Sequence, residues 1–155
     1  MKKFMNSRRQ GFTLLEILLV VAGIAILAGI VILAINPAKQ LGDTRNADRR
    51  SDVNTILNAV YQYSIDNTGT LPATVTTGTT CAAATGAHEV CQTGGVCTGI
   101  TDLAVLVPKF LIALPSDPQS ATADGTNYDI FKDADGRVTV CSPGAEQSAS
   151  ISVRR

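Results

Sequence analysis

The chain has 155 residues, of which 45% are hydrophobic and 17% charged, and its 13 basic side chains balance 13 acidic ones. It has one histidine, and it shows no P-loop, no Ser–His–Asp order and no paired-cysteine redox motif. We therefore expect no enzymatic activity and no cofactor. Without the basic residues that precede Gly11, nine basic side chains face 13 acidic ones, a balance of −4 that makes a nucleic-acid partner unlikely.

A long apolar segment, residues 12–35, follows a short basic leader that contains Lys2, Lys3, Arg8 and Arg9. As a helix rising about 1.5 Å per residue, it reaches about 36 Å, enough to cross a hydrocarbon core of about 30 Å. A cleaved secretory signal has a shorter apolar core, so the segment predicts a membrane-spanning helix. The basic leader predicts a cytoplasmic N-terminus and an exported remainder.

Glu16 is the one charged residue in this apolar segment. An acid at mid-bilayer costs on the order of 2.5–3.5 kcal/mol, so a carboxylate retained here indicates a role beyond anchoring. A plain single-pass anchor would explain the hydrophobicity of the segment. It would leave Glu16 and the Gly11–Phe12 junction unexplained.

The hexapeptide GFTLLE at residues 11–16, set behind the basic leader, resembles the class III signal of type IV prepilins and pseudopilins. The resemblance covers residues 1–35 and extends more loosely to about residue 67. It implies a membrane aspartic peptidase that cuts between Gly11 and Phe12 and then methylates the new amine of Phe12. It also implies that Glu16 is an assembly residue that pairs with the terminal amine of a neighbouring subunit. Charges in an apolar bundle are tolerated only when paired.

The same resemblance implies the pilin fold, an α+β architecture in which a long N-terminal helix packs by its second half against a small antiparallel sheet. The chain would be a structural subunit of a type IV pilus-like filament. The alternatives are a pseudopilin of a type II secretion system and a membrane-anchored exported domain that never polymerises. Implied partners are further copies of the chain, the prepilin peptidase, an assembly-platform membrane protein and a separate assembly ATPase. The subunit would reside in the lipid of the inner membrane before it enters a periplasmic or extracellular filament.

Residues 36–66 predict an amphipathic continuation of the helix. Charges of both signs alternate over residues 43–52, and they either face solvent or pair between subunits. Apolar residues then recur at spacings of three and four, which indicates one buried helix face. Asn67-Thr68-Gly69 predicts the helix end at about Asp66. The residues of the predicted face are Val53, Ile56, Leu57, Val60, Tyr61 and Ile65.

A loosened point is expected near the membrane exit of the helix. Many pilins carry a proline about two turns before that exit, whereas Leu33 stands near that place here and the first proline is Pro37. Proline removes a backbone donor and crowds the preceding turn, so we expect a kink or local melting within residues 34–37. Gly23 and Gly29 are the other weak points of the segment, and they could instead allow close contact between helices.

Residues 67–155 predict a small globular head. Residues 127–131 and 137–141 alternate on either side of an Asp-rich turn that ends in Gly136, which is a hairpin signal. Residues 102–107 predict a short helix, residues 150–153 a last strand or a tail, and residues 74–101 mostly loop. The chain thus divides into a cleaved leader (1–11), a transmembrane or filament-core helix (12–35), its amphipathic continuation (36–66) and the head (67–155).

Four cysteines, Cys81, Cys91, Cys97 and Cys141, lie in the predicted exported part. An even number in a small exported domain predicts two disulfides, which can be connected in three ways. We favour Cys81–Cys91 with Cys97–Cys141. A zinc site that combines the cysteines with His88 is the alternative, although the spacing contains no compact pair.

Two acidic residues are candidates for a calcium site. Some pseudopilins hold calcium in the loop ahead of the final hairpin, and Asp117 and Asp124 lie in the comparable region of this chain. Oxygen ligands on a loop suit calcium. The acidic residues before Gly136 do not need a metal to explain them, because aspartate is common in hairpin turns. We therefore expect no metal, with Asp117 and Asp124 as the calcium candidates.

Overall fold

A computed structural model describes residues 11–81 and 86–155. The basic leader up to residue 10 and part of the predicted 74–101 loop, residues 82–85, lie outside the described residues. The chain divides into two compact units, Met1–Gln40 and Leu41–Arg155.

Helix α1, Leu14–Ile35, occupies most of the first unit. It begins after Thr13, whose extended backbone and side-chain oxygen cap the first turn. None of its residues is buried. Within the described part of the chain, it is the one helix long and apolar enough to cross a membrane. Together with the disulfides, this helix supports membrane anchoring and export.

The helical backbone is interrupted at Asn36, inside the predicted range 34–37. Asn36 adopts a left-handed conformation with φ 45° and ψ 78°. Its Oδ1 accepts a hydrogen bond of 3.3 Å from the N–H of Lys39, and Pro37 follows as the first residue of the next helix. Proline suits that position because the first helical N–H has no intrahelical partner. Asn36 thus ends α1 and caps α2.

Helix α2, Pro37–Asp66, ends where the sequence predicts. Gly69 has φ 86° and donates its N–H to the carbonyl of Ser64, which closes the last turn. The predicted apolar face is correct for Val53 through Val60 but wrong at Ile65, which is 77% exposed. The buried positions continue from Val60 to Ser64, four residues on, so Ile65 lies on the adjacent solvent side.

A four-stranded antiparallel sheet forms the second layer of the head, in the order β1-β2-β3-β4. The predicted hairpin is present, and the 150–153 segment is a strand rather than a tail. The first strand lies in the region predicted to be mostly loop. A strand of three residues is too short to show an alternation of apolar and polar residues in the sequence. The strands are β1 Glu89–Cys91, β2 Gly125–Lys132, β3 Val138–Ser142 and β4 Ile151–Arg154.

The turn between β2 and β3 follows the predicted chemistry. Gly136 has φ 82°. The Oδ1 atom of Asp133 accepts hydrogen bonds from the N–H groups of Asp135 at 3.0 Å and Arg137 at 2.9 Å. An aspartate that binds its own turn in this way fixes the hairpin register.

The hydrophobic core lies between α2 and the sheet. Val53, Ile56 and Val60 of the helix belong to the same buried cluster as Tyr128 and Ile130 of β2. The predicted short helix is a single 3₁₀ turn, Ala104–Leu106, which adds Leu106 to this cluster. The head is therefore α+β, with the second half of the long N-terminal helical region supplying one side of its core.

The favoured cysteine pairing is wrong. Cys81 is joined to Cys141, and Cys91 is joined to Cys97 six residues later. The first bond ties the 74–81 segment to β3, and the second closes a small loop after β1. Sequence spacing could not decide this, because Cys81 and Cys141 are 60 residues apart and only the fold brings them together. With all four sulfurs in disulfides, the zinc alternative has no thiolate ligands.

Candidate assembly site

The two residues of the predicted cleavage point lie ahead of helix α1. Gly11 and Phe12 precede α1 in exposed, non-helical backbone, and the Phe12 side chain is 79% exposed. Because Thr13 is the helix cap, the Gly11–Phe12 peptide bond is not engaged in intrahelical hydrogen bonds. This predicted cleavage point is thus sterically open in the described residues.

Glu16 lies in the first turn of α1, three residues after the cap. Thr13 Oγ1 accepts a hydrogen bond of 3.2 Å from the Glu16 N–H. The spacing Thr-x-x-Glu is that of a capping box, in which the glutamate would also accept from the backbone N–H of the cap residue. That second bond is not formed. Among residues 11–81 and 86–155, the Glu16 carboxylate has no hydrogen-bond or ion-pair partner.

The helix dipole offers this carboxylate only partial compensation. A negative side chain near a helix N-terminus is stabilised by typically about 0.3–1 kcal/mol. That is less than the cost of an acid at mid-bilayer, on the order of 2.5–3.5 kcal/mol. The difference favours a cationic partner from another molecule or from a new chain end.

A buried ion pair attaches α2 to the loop before β2, within the head. The Nε atom of Arg49 lies 2.6 Å from Asp117 Oδ2, and both side chains are completely buried. Burial alone would raise the pKa of Asp117, but the Arg49 hydrogen bond and the N–H groups of Gln119 and Ser120 lower it overall. The hydrogen bond to Asp117 raises the pKa of Arg49, which keeps the guanidinium charged.

Glu146 extends this ion pair into a network. It lies 2.6 Å from Arg45 Nε and 2.8 Å from Arg49 Nη1. Hydrogen bonds from Arg45 and Arg49 lower the pKa of Glu146 to about 2. The side chain of Asn46 completes the attachment, donating to the Glu146 carbonyl at 2.8 Å and accepting from its N–H at 2.9 Å.

The calcium candidates are engaged in other interactions. Both oxygens of Asp117 accept from Arg49, and Oδ1 also accepts from two backbone N–H groups. Asp124 is exposed, and its Oδ1 accepts from the Val96 N–H at 2.8 Å. In the part of the chain that the structure describes, no group of three or more His, Cys, Asp or Glu side chains could hold a metal ion.

The sequence interpretation missed the Arg49 network. It read the charges of residues 43–52 as solvated or intersubunit pairs, whereas Arg49 is a core residue of its own head. The helical period could have predicted that Arg49 is buried, since Arg49 precedes Val53 by four residues and so lies on the buried face. Its partners Asp117 and Glu146 are distant in sequence and could not have been identified this way.

Comparison with known proteins adds no family assignment. No protein-family model, curated protein or solved structure matches this chain. The architecture itself, a long apolar N-terminal helix with a four-stranded antiparallel sheet, is consistent with a pilin-like design.

Proposed function

We propose that this chain is a structural subunit of a type IV pilus-like filament, cut after Gly11, methylated at Phe12 and polymerised through α1. One observation carries the proposal. The GFTLLE hexapeptide stands at the start of a membrane-length helix, and its carboxylate has no partner among residues 11–81 and 86–155. The resemblance to class III prepilin signals supplies the reason for each of these features.

The chemistry of cleavage and the chemistry of Glu16 fit one another. Hydrolysis of the Gly11–Phe12 bond creates a new amine at Phe12, which is cationic near neutral pH. Two charges that would each be costly in an apolar bundle are tolerated as a pair. If the amine of one subunit meets Glu16 of its neighbour, the pair also fixes the axial register of the two helices.

The exposed surface of α1 supports the same role. Its 22 residues bury none of their side chains. An apolar surface of this size needs lipid before assembly and other helices afterwards. The proposal therefore includes an inner-membrane precursor with a cytoplasmic leader and an exported head. Its partners are the peptidase, the platform protein, the assembly ATPase and further copies of the chain.

The experiment that tests the proposal expresses the full chain in its native host and determines the N-terminus by peptide mass. A mature chain that starts at N-methyl-Phe12 is expected, and an intact leader would contradict the proposal. Glu16→Ala should be processed normally but should yield few or no filaments by electron microscopy. Asp135→Asn is the matched control, because it removes an exposed carboxylate from the hairpin turn and should leave filaments unchanged.

The same preparation separates the alternatives. Filaments on the cell surface support a pilus, whereas filaments confined to the periplasm support a pseudopilus of a secretion system. A processed chain that stays monomeric in the membrane supports the non-polymerising anchor. Normal filaments from Glu16→Ala would contradict the pairing role of Glu16.

A further inference from the structure

Helix α2 carries uncompensated charges of opposite sign on opposite flanks of the head. Asp48 and Arg50 are two residues apart, which places them about 200° apart around a helix of 3.6 residues per turn. Both are exposed. Neither has an ion-pair partner within the described ranges, 11–81 and 86–155.

Contacts with the sheet identify the two flanks. Asp52, one turn after Asp48, accepts a hydrogen bond of 2.6 Å from the Tyr128 hydroxyl of β2. The acidic flank, Asp48 and Asp52, therefore lies on the β2 side of the helix. Arg50 lines a cavity of about 170 Å³ with residues 150–153 at the β4 edge of the sheet. The basic flank, Arg50 and Arg155, lies on that opposite side, with Arg155 placed 5.8 Å from the Tyr61 ring of α2.

The acidic flank brings two carboxylates close together, and the Tyr128 hydroxyl bonds only one of them, Asp52. Asp48 and Asp52 are four residues apart on one helix face, where like charges repel. Burial raises the pKa of Asp52, the Tyr128 hydrogen bond offsets part of that rise, and the charges of Asp48 and Asp117 add to it. The neighbouring cations cannot relieve this repulsion, because Arg45 and Arg49 are already held by Glu146 and Asp117. Water and salt ions solvate the exposed Asp48, and a cation from a second copy of the chain would add a direct ion pair to this flank.

We propose that copies of this chain pack side by side through these flanks, with Asp48 and Asp52 of one copy facing Arg50 of the next. The inference rests on the proposed function, because it names the head contact of the same filament. The two flanks differ and lie on opposite sides of the head, so the contact is heterologous. Such a contact leaves a free acidic and a free basic flank at the ends, and it extends into a filament rather than closing a dimer.

A charge swap tests the contact in the full chain, expressed in its native host. Asp48→Arg and Arg50→Asp should each reduce the yield of sheared filaments several-fold relative to processed chain. The double variant Asp48→Arg/Arg50→Asp should restore most of the yield, because every interface regains an opposite pair. Wild-type filaments should also dissociate faster as salt is raised, since exposed ion pairs are screened.

Asp43→Arg is the matched control. Asp43 precedes Arg50 by seven residues and lies on the basic flank, so the same change of charge there should not lower the yield. For each purified variant, mapping the two disulfides and recording the thermal unfolding transition checks that its head is folded.

The outcomes distinguish this inference from the proposed function. Wild-type chain that is never processed or never forms filaments would overturn both. If wild-type filaments form normally but the single variants assemble as well as wild type, the flank contact alone is overturned. The flank contact is also overturned if the filament yield of the double variant is no higher than that of the single variants, or if Asp43→Arg lowers the yield equally.

Discussion

The guanidinium of Arg49 on α2 and the carboxylate of Asp117, 68 positions later, form an ion pair with both side chains completely buried. The pair links the helix directly to the loop that precedes β2. The two charges depend on each other, because Asp117 without Arg49 would be a buried charge with no ion-pair partner, and Arg49 without Asp117 would keep only Glu146. Removing one partner of this pair should therefore cost more than removing both.

Breaking this pair from one side should be costly. We expect Asp117→Ala to lower the free energy of unfolding of the head by about 3 kcal/mol, the lower end of the range for breaking a buried pair, because Arg49 stays buried with only Glu146 as its partner. The double variant Arg49→Met/Asp117→Leu should lose less, since it removes both charges and keeps apolar volume. Urea unfolding of the full chain in detergent measures both. All three tyrosines lie in residues 41–155, so their fluorescence reports on this unit. A double variant less stable than Asp117→Ala would contradict this account.

The Glu146 network predicts acid sensitivity. The pKa of Glu146 is about 2 in the folded head, against about 4.3 for an unperturbed glutamate. Because the folded pKa is the lower one, the stabilisation is fully present above about pH 4.3 and is lost as the pH falls towards 2. The unfolding midpoint in urea should therefore decrease over this range. Glu146→Gln should flatten that decrease, leaving the part due to Asp117, whose pKa is also lowered. An unchanged pH profile in Glu146→Gln would refute the assignment.

The two disulfides should contribute unequally. Cys81 and Cys141 are 60 residues apart, whereas Cys91 and Cys97 are 6 apart. Closing the longer loop restricts the unfolded chain more, which gives about 4 kcal/mol against about 2 kcal/mol in the chain-entropy account. Cys81→Ala/Cys141→Ala should therefore destabilise the head more than Cys91→Ala/Cys97→Ala in the same urea experiment. The variants are matched, since each removes one buried cysteine. Equal losses would argue against the loop-length effect.

Several elements could be predicted from the sequence because their signals are local or periodic. The apolar run of residues 12–35 gives α1, and the proline after Asn36 gives the interruption of the helix. The spacing of Val53, Ile56 and Val60 gives the buried face of α2, and Gly136 gives the hairpin turn. Each of these features depends on neighbours within about two helical turns.

Other elements depended on contacts between distant residues. Strand β1 has only three residues and is defined by its pairing with β2 and its bridge to Thr101. The Cys81–Cys141 disulfide likewise joins residues that are 60 positions apart. Ile65 fits the apolar spacing but faces solvent, because no strand or loop covers that side of the last turn in the described residues.

The sequence by itself determined the membrane-length helix, the GFTLLE motif with Glu16 in the first helical turn, the amphipathic extension and the main hairpin. Only the tertiary structure decided which cysteines pair, which charges of residues 43–52 are internal and which remain available at the surface. Arg45 and Arg49 form ion pairs within the head, whereas Asp48 and Arg50 form none with the residues that the structure describes. The reason is physical: helical period fixes the direction of a side chain, but the fold alone brings a distant partner within hydrogen-bonding distance.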